Sequence, residues 1–236
     1  QIFHQLPIAK TVSVLHRLTA ELASLWPPYA VKRTTLPQPA DDSLDQHAFW
    51  QQIQAFLRPG DVLVAEQGTS CFGAAALTLP QDCQFVVQPL WGSIGFTLPA
   101  AFGVQIAVPD RRVVLLIGDG SAQLTLQGLG AAIRYGLPPV IFVINNEGYT
   151  VERAIHGETQ RYNDIAQWNW TQFPAAFGGK NVFSARADTP QALKAAIEQA
   201  SAKRRMAWIE VMLPKMDIPE LLDSVTKSLA KRNSGQ

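Results

Sequence analysis

Two short runs of oxygen-bearing residues stand out in this 236-residue sequence. Gly118-Asp119-Gly120-Ser121 closes the apolar run Val113 to Ile117, and Asn145-Asn146-Glu147-Gly148 closes the apolar run Val140 to Ile144. Asp119 offers a carboxylate, Asn146 an amide oxygen and Gly148 a backbone carbonyl. These are hard donors, with no His or Cys among them. They suit Mg²⁺ or Ca²⁺, and Mg²⁺ is favoured where phosphate oxygens complete an octahedron. Gly118 and Gly120 allow a tight turn and a close backbone approach. A helix expected to begin at Ser121 would aim its free N–H groups and positive dipole end at the same place, which suits a phosphate. The predicted chemistry is a divalent cation tethering a diphosphate.

A dinucleotide-binding turn is the nearest rival, and it expects G-x-G-x-x-G after the strand. Here the run is Gly118-Asp119-Gly120-Ser121-Ala122-Gln123, without the third glycine. An aspartate between the first two glycines would also repel a bare pyrophosphate, whereas a metal turns it into a ligand. The separation of Asp119 from Asn146 is about one helix plus one strand with two short loops. It places both residues at neighbouring parallel strand ends, where ligands of open α/β sheets sit.

The elements that must position these residues follow from apolar periodicity. A helix is predicted from Gln46 to Leu57, stopped by Arg58-Pro59-Gly60. Strands are predicted at Val62 to Ala65, Phe85 to Val87, Val113 to Ile117, Val140 to Ile144, Val182-Phe183 and Ala207 to Met212. Helices are predicted over Gly95 to Ala107, Ala122 to Tyr135, Pro190 to Ala202 and Ile218 to Leu229, with Lys231 to Gln236 frayed. Apolar strands alternating with helices indicate an α/β fold, a doubly wound and mainly parallel sheet covered on both faces. Before it, a short strand and a helix carrying Val12, Leu15, Leu18, Leu22 and Leu25 end at Pro27-Pro28, followed by a proline-rich linker.

Composition narrows the class further. Apolar residues make up 47% and charged residues 17%, which is a globular composition with enough apolar side chains for a core. The net charge of +1 demands neither nucleic acid nor an anionic membrane as partner. Cys71 and Cys83 are too few for a disulfide framework, so both are read as free thiols in a reducing, cytoplasmic setting. No apolar run approaches ~20 residues, and no secretion leader is recognised. The sequence opens Gln1-Ile2-Phe3 and keeps its three methionines near the end. It is therefore read as a processed chain or a piece of a longer one.

Gly118-Asp119-Gly120 followed by Asn145-Asn146 resembles the signature of thiamine-diphosphate enzymes. The stretch Asn145-Asn146-Glu147-Gly148-Tyr149-Thr150-Val151-Glu152-Arg153-Ala154-Ile155-His156-Gly157 resembles the pyruvate decarboxylase branch. With Tyr162-Asn163-Asp164-Ile165 and Trp168-Asn169-Trp170, it is closely similar to the bacterial indolepyruvate and phenylpyruvate decarboxylases. The likeness spans nearly the whole chain.

That resemblance implies a three-domain parent. Residues 1–36 would end its middle domain, 37–44 would be a linker, 45–215 the diphosphate and Mg²⁺ domain, and 216–236 a C-terminal helix and tail. Asp119, Asn146 and the Gly148 carbonyl would hold Mg²⁺. Thr69, Gly118, Gly120, Ser121 and Tyr149 would help seat thiamine diphosphate. Trp91-Gly92-Ser93-Ile94-Gly95 would grip its aminopyrimidine, with Gly92 accepting from the amino group and Ile94 wedging the cofactor into a V. Glu152 would be the acid/base, a carboxyl held near the substrate carboxylate in a dry pocket and so raised in pKa. Gln67 stands where pyruvate-specific relatives carry threonine. With Phe72, Val151 and Leu222 it would frame an aryl pocket. His156 is read as structural.

The implied reaction is non-oxidative decarboxylation of an aryl 2-keto acid, indole-3-pyruvate to indole-3-acetaldehyde and CO₂. That would place it in tryptophan metabolism and indoleacetic acid biosynthesis. The alternatives are phenylpyruvate or pyruvate as substrate, carboligation, or a non-catalytic module of the same fold. A glutamate, paired histidines and an aspartate of the family's pyrimidine-binding domain are not in this sequence. A pyrimidine-binding domain of the same or a neighbouring subunit is thus an expected partner, in a homo-oligomer, dimer or tetramer.

Overall fold

The computed structural model describes residues 42–233, with side chains through Ser228. The expected middle-domain end at 1–36, its strand and helix, and residues 37–41 of the linker lie outside the described residues. So do the last three residues.

Six strands form one all-parallel sheet: β1 Val62–Ala65, β2 Gln84–Val87, β3 Val113–Gly118, β4 Val140–Asn145, β5 Phe183–Ala187 and β6 Ala207–Met212. Their spatial order is β2-β1-β3-β4-β6-β5. Nine α-helices are described: α1 Gln46–Phe56, α2 Thr69–Ala74, α3 Thr97–Ala107, α4 Asp119–Thr125, α5 Gly128–Arg134, α6 Thr150–His156, α7 Phe173–Ala176, α8 Pro190–Ala202 and α9 Glu220–Asn233.

β1, β3 and β4 are apolar on both faces because both faces are covered. Alternate β3 residues enter different cores. Val114 and Leu116 join Phe49 and Ile53 of α1 and Leu193 of α8. Val113, Leu115 and Ile117 join Leu98 and Phe102 of α3, Ala122 of α4 and Leu129 of α5. This is strand period two, read from opposite sides of one sheet. Trp170 and Trp208 stack in the second core, and the Trp208 indole N–H donates to the Trp170 carbonyl at 2.9 Å.

Helix starts follow local chemistry. Asp45 accepts from the Ala48 amide at 2.7 Å, and Thr189 caps α8 just before Pro190. Pro99 sits within the first turn of α3, where an N–H has no intrahelical partner to lose.

Four expectations need correction. The helix after β3 starts at Asp119, not Ser121, because Gly118 is the last extended residue and the chain turns helical at the next one. The helix expected over Ala122 to Tyr135 is two helices, broken at Leu126-Gln127. The helix expected from Gly95 begins at Thr97, since Gly95 holds φ +86° and cannot join it. Lys231 to Asn233, expected to fray, continue α9.

Candidate functional site

The strand order turns at β1. The chain leaves β1 for β2 on one side and reaches β3 on the other. The crevice beyond the carboxyl ends of β1 and β3 is thus the topological switch point, the place where open α/β sheets bind ligands. Two helix starts open there, α2 behind Gly68 and α4 behind Gly118. Thr69 and Ser121, in their first turns, are buried, and neither hydroxyl makes a hydrogen bond among the described residues. Ser70 Oγ is also buried without a partner.

β3 and β4 run in register with Gly118 beside Ile144, which brings Asp119 up to the Asn145–Gly148 turn. Asp119 is 1% exposed. Its Oδ1 accepts from the Gly120 amide at 2.8 Å and its Oδ2 from the Gly148 amide at 3.0 Å. Burial pushes its pKa up to about 7, against the lowering pull of those amides and of the Arg153 charge. Asn146 is 3% exposed, yet its side chain makes no hydrogen bond among the described residues. A costly buried carboxylate tied to the turn that carries an unengaged amide fits a cation-binding pair. Among the described residues no three His, Cys, Asp or Glu side chains cluster as a metal site. The candidate set is instead one carboxylate, one amide and one carbonyl.

Arg153 shapes the turn. It is fully buried and donates to the carbonyls of Asn146 (3.1 Å), Glu147 (2.6 Å) and Asn163 (3.0 Å), and to Asp164 Oδ1 (2.8 Å). Lys215 completes the knot with Asp164 at 2.6 Å. Together these partners hold the Asp164 carboxyl below its usual pKa. Asn145 braces the turn by accepting from the Glu147 amide and donating to Glu210. Glu147 at φ +61° and Gly148 at φ +126° reverse the chain.

Two glycines are required by close neighbours. A Cβ on Gly148 would lie 2.1 Å from the Asn163 carbonyl oxygen, and one on Gly120 would lie 2.5 Å from the Tyr149 ring. Gly148→Ala is therefore expected to lower the melting temperature by several degrees, through a backbone clash plus left-handed strain worth more than ~2 kcal/mol. It should also displace the carbonyl offered to the cation. A melt within a degree of wild type would refute this reading of the turn.

The other predicted residues fall around this crevice in different states. Gln67 follows β1 with its Oε1 buried and unpartnered. Its side chain lies 3.7 Å from where a Gly92 Cβ would stand, and Val151 lies 3.9 Å from the Cβ position of Gly68. Gln67, Gly92 and Val151 thus gather at one edge. Ile94 is half-buried, Ser93 is exposed and Phe72 on α2 is half-buried. Leu222 is wholly buried on α9, which packs on α2 and α6, so in this chain it backs the site rather than opening onto it.

Glu152 lies on α6 with its side chain 48% exposed, so this chain alone makes no dry pocket around it. Its ion partner is His156, at 3.4 Å, and neither Arg153 nor Arg161. His156 therefore has a neighbour of chemical interest, and Arg153 is turned inward to the Asn146 turn. The buried Arg153, Asn163 and Glu66 were not anticipated from sequence. An arginine beside a helical glutamate reads as a surface pair, and nothing local marks its burial.

The opposite sheet edge carries a cleft of ≈ 220 Å³ ringed by Arg58, Arg111, Arg112, Arg204 and Arg205. None of the predicted residues lines it.

The fold and the switch-point crevice define a class: a parallel α/β domain with candidate oxygen donors and two helix starts at the switch point of its sheet. The sequence model for the C-terminal TPP-binding domain of thiamine pyrophosphate enzymes matches residues 66–211. The chain belongs to that family. It is 55% identical over 191 residues to the alpha-keto-acid decarboxylase of Mycobacterium tuberculosis, covering 80% of this chain and 34% of that protein. It is 47% identical over 242 residues to the alpha-keto-acid decarboxylase of Mycobacterium ulcerans, covering 100% of this chain and 42% of that protein. The chain thus spans between about a third and two fifths of these curated relatives.

Proposed function

We propose that this chain is the diphosphate-binding part of a longer thiamine-diphosphate decarboxylase acting on an aryl 2-keto acid such as indole-3-pyruvate. The observation that carries the proposal is that buried Asp119 and the buried, unengaged Asn146 follow the ends of adjacent parallel strands, with Asp119 Oδ2 accepting from the Gly148 amide. Asp119, Asn146 and the Gly148 carbonyl would hold Mg²⁺. Ser121 and Thr69 would take diphosphate oxygens. When bound, thiamine diphosphate supplies the electron sink for loss of CO₂ from the 2-keto acid. The protein's part is to orient that cofactor through Gly92 and Ile94, to exclude water and to deliver a proton. Glu152 would deliver it.

The exposed surface supports a partner domain. Trp91 is 95% exposed, Leu90 73% and Phe96 44%, all on the loop proposed to face the aminopyrimidine. Such a patch beside a half-built site marks a contact surface. A pyrimidine-binding domain of the same or a neighbouring subunit would cover it and Glu152 together, in a dimer or tetramer. The chain alone is then expected to be inactive. Among the described residues no helix is long and apolar enough to cross a membrane, and both cysteines are free. Burial, and next the Glu66 charge, raise the Cys71 thiol. We place the enzyme in the cytoplasm on these grounds.

Gln67 carries the substrate assignment, with Phe72 and Val151 beside it and Leu222 behind them. In the full-length enzyme, Gln67→Thr should shift the ratio of kcat/KM for indolepyruvate over pyruvate downward by roughly 10-fold, the scale of 1–2 kcal/mol of pocket discrimination. A panel of 2-keto acids scored by kcat/KM checks this. An unchanged ratio would remove Gln67 from the substrate pocket.

A further inference from the structure

Glu66 lies outside every role assigned so far. It follows β1 directly and is 0% exposed. Its carboxylate accepts four hydrogen bonds. Oε1 takes the Gln67 amide at 2.9 Å. Oε2 takes the Gly95 amide at 3.0 Å, the Thr97 amide at 3.3 Å and the Thr97 hydroxyl at 2.8 Å. No salt bridge among the described residues involves it.

The two oxygens divide the work. One fixes the start of the loop bearing Gln67, and the other fixes the end of the loop bearing Gly92 and Ile94. The second group of donors is also the start of α3, whose own N-cap, Phe96, has no side chain able to accept. Glu66 therefore caps α3 from a different loop. A negative oxygen is favourable at a helix N-terminus, where several N–H groups lack partners. A second tie comes from Thr125, whose hydroxyl donates to the Gly95 carbonyl at 2.9 Å. The inner end of the loop is thus pinned twice, while Trp91 at its outer end stands exposed.

We propose that Glu66 is a positioning residue that sets the aminopyrimidine loop against Gln67, and so selects the thiamine moiety while leaving the diphosphate site alone. The assignment rests on the thiamine-diphosphate reading above. A glutamine at position 66 keeps the shape but turns one NH₂ toward N–H donors, whichever way the amide lies. A buried donor facing donors loses its bonds and pushes the loop away. Asp119 and Asn146, just past the ends of β3 and β4, make no hydrogen bond with Glu66 or its partners.

The test is a pair of calorimetric titrations on the full-length enzyme, one with Mg²⁺ and thiamine diphosphate, one with Mg²⁺ and inorganic pyrophosphate. Glu66→Gln should weaken thiamine diphosphate by about 10-fold or more and pyrophosphate by less than about 2-fold, the first being the order of one charge-assisted bond lost. Thr97→Val removes one donor and should shift the same selectivity by about 3-fold. It carries the test if Glu66→Gln does not fold. Equal weakening of both ligands would mean general damage and would overturn the assignment, as would no weakening of either. Wild-type protein that bound neither ligand would instead bring down the thiamine-diphosphate reading itself, and this assignment with it.

Discussion

Asp119→Ala is expected to abolish retention of thiamine diphosphate and Mg²⁺, raising the dissociation constant by more than about 100-fold. Loss of an outer partner of a metal ligand costs 10- to 100-fold, and loss of a direct carboxylate ligand should exceed that. Titration calorimetry on the full-length enzyme checks it, and unchanged affinity would remove Asp119 from the metal site. The pH dependence adds a second arm. Burial holds the metal-free Asp119 carboxyl at a pKa of about 7. Metal binding needs the ionised form, so affinity should fall by about tenfold per pH unit below 7. Metal-free stability runs the other way. A raised carboxyl contributes stability fully below its unfolded value near 3.8 and loses it as pH rises through 7. The ionised side chain therefore costs up to about 4 kcal/mol above pH 7. Asp119→Asn, which carries no charge, should make the metal-free protein more stable than wild type at pH 8, and the gap should close as pH falls toward 5.

Glu152→Gln is expected to keep the cofactor, with a dissociation constant within about twofold of wild type, and to lower kcat by roughly 10²-fold or more. That is the range for removing a positioned general acid. Glutamine preserves length and hydrogen bonding and removes only the transferable proton. Glu152 lies on α6 and pairs with His156 rather than with Asp119 or Asn146, so cofactor retention should not depend on it. Single-turnover kinetics would separate protonation from binding. A wild-type kcat in this variant would end the acid assignment.

How much of this was legible beforehand differs by element. β1 and β6 begin and end where their apolar runs do, and α8 runs from Pro190 to Ala202 as expected. Strands buried on both faces have no alternation to misread. The pairing of β3 with β4 was readable because their separation fits one helix and two short loops. Helix α2 was hidden. Its run Thr69–Ala74 contains Gly73, a poor helix former, which is there because a Cβ would lie 2.0 Å from the Trp50 ring. Helix α6 was hidden by the β-branched residues Thr150 and Val151 at its start.

In the candidate site the oxygen donors of Asp119, Asn146 and Gly148 were visible as residue types at strand ends. Their supports were not. Glu66 and Arg153 act on backbone groups far along the chain or turned out of view, and no spacing rule announces such contacts. The exposure of Glu152 was likewise invisible, because it depends on what covers α6 rather than on the helix itself.

The most direct measurement is crystallographic: this chain with thiamine diphosphate and Mn²⁺ as an anomalous stand-in for Mg²⁺, since both take octahedral oxygen sites. We expect one anomalous peak at about 2.0–2.2 Å from Asp119 Oδ, Asn146 Oδ1 and the Gly148 carbonyl, with diphosphate oxygens filling the remaining positions. A diphosphate seated without metal, or a peak away from those three oxygens, would contradict the account at its base.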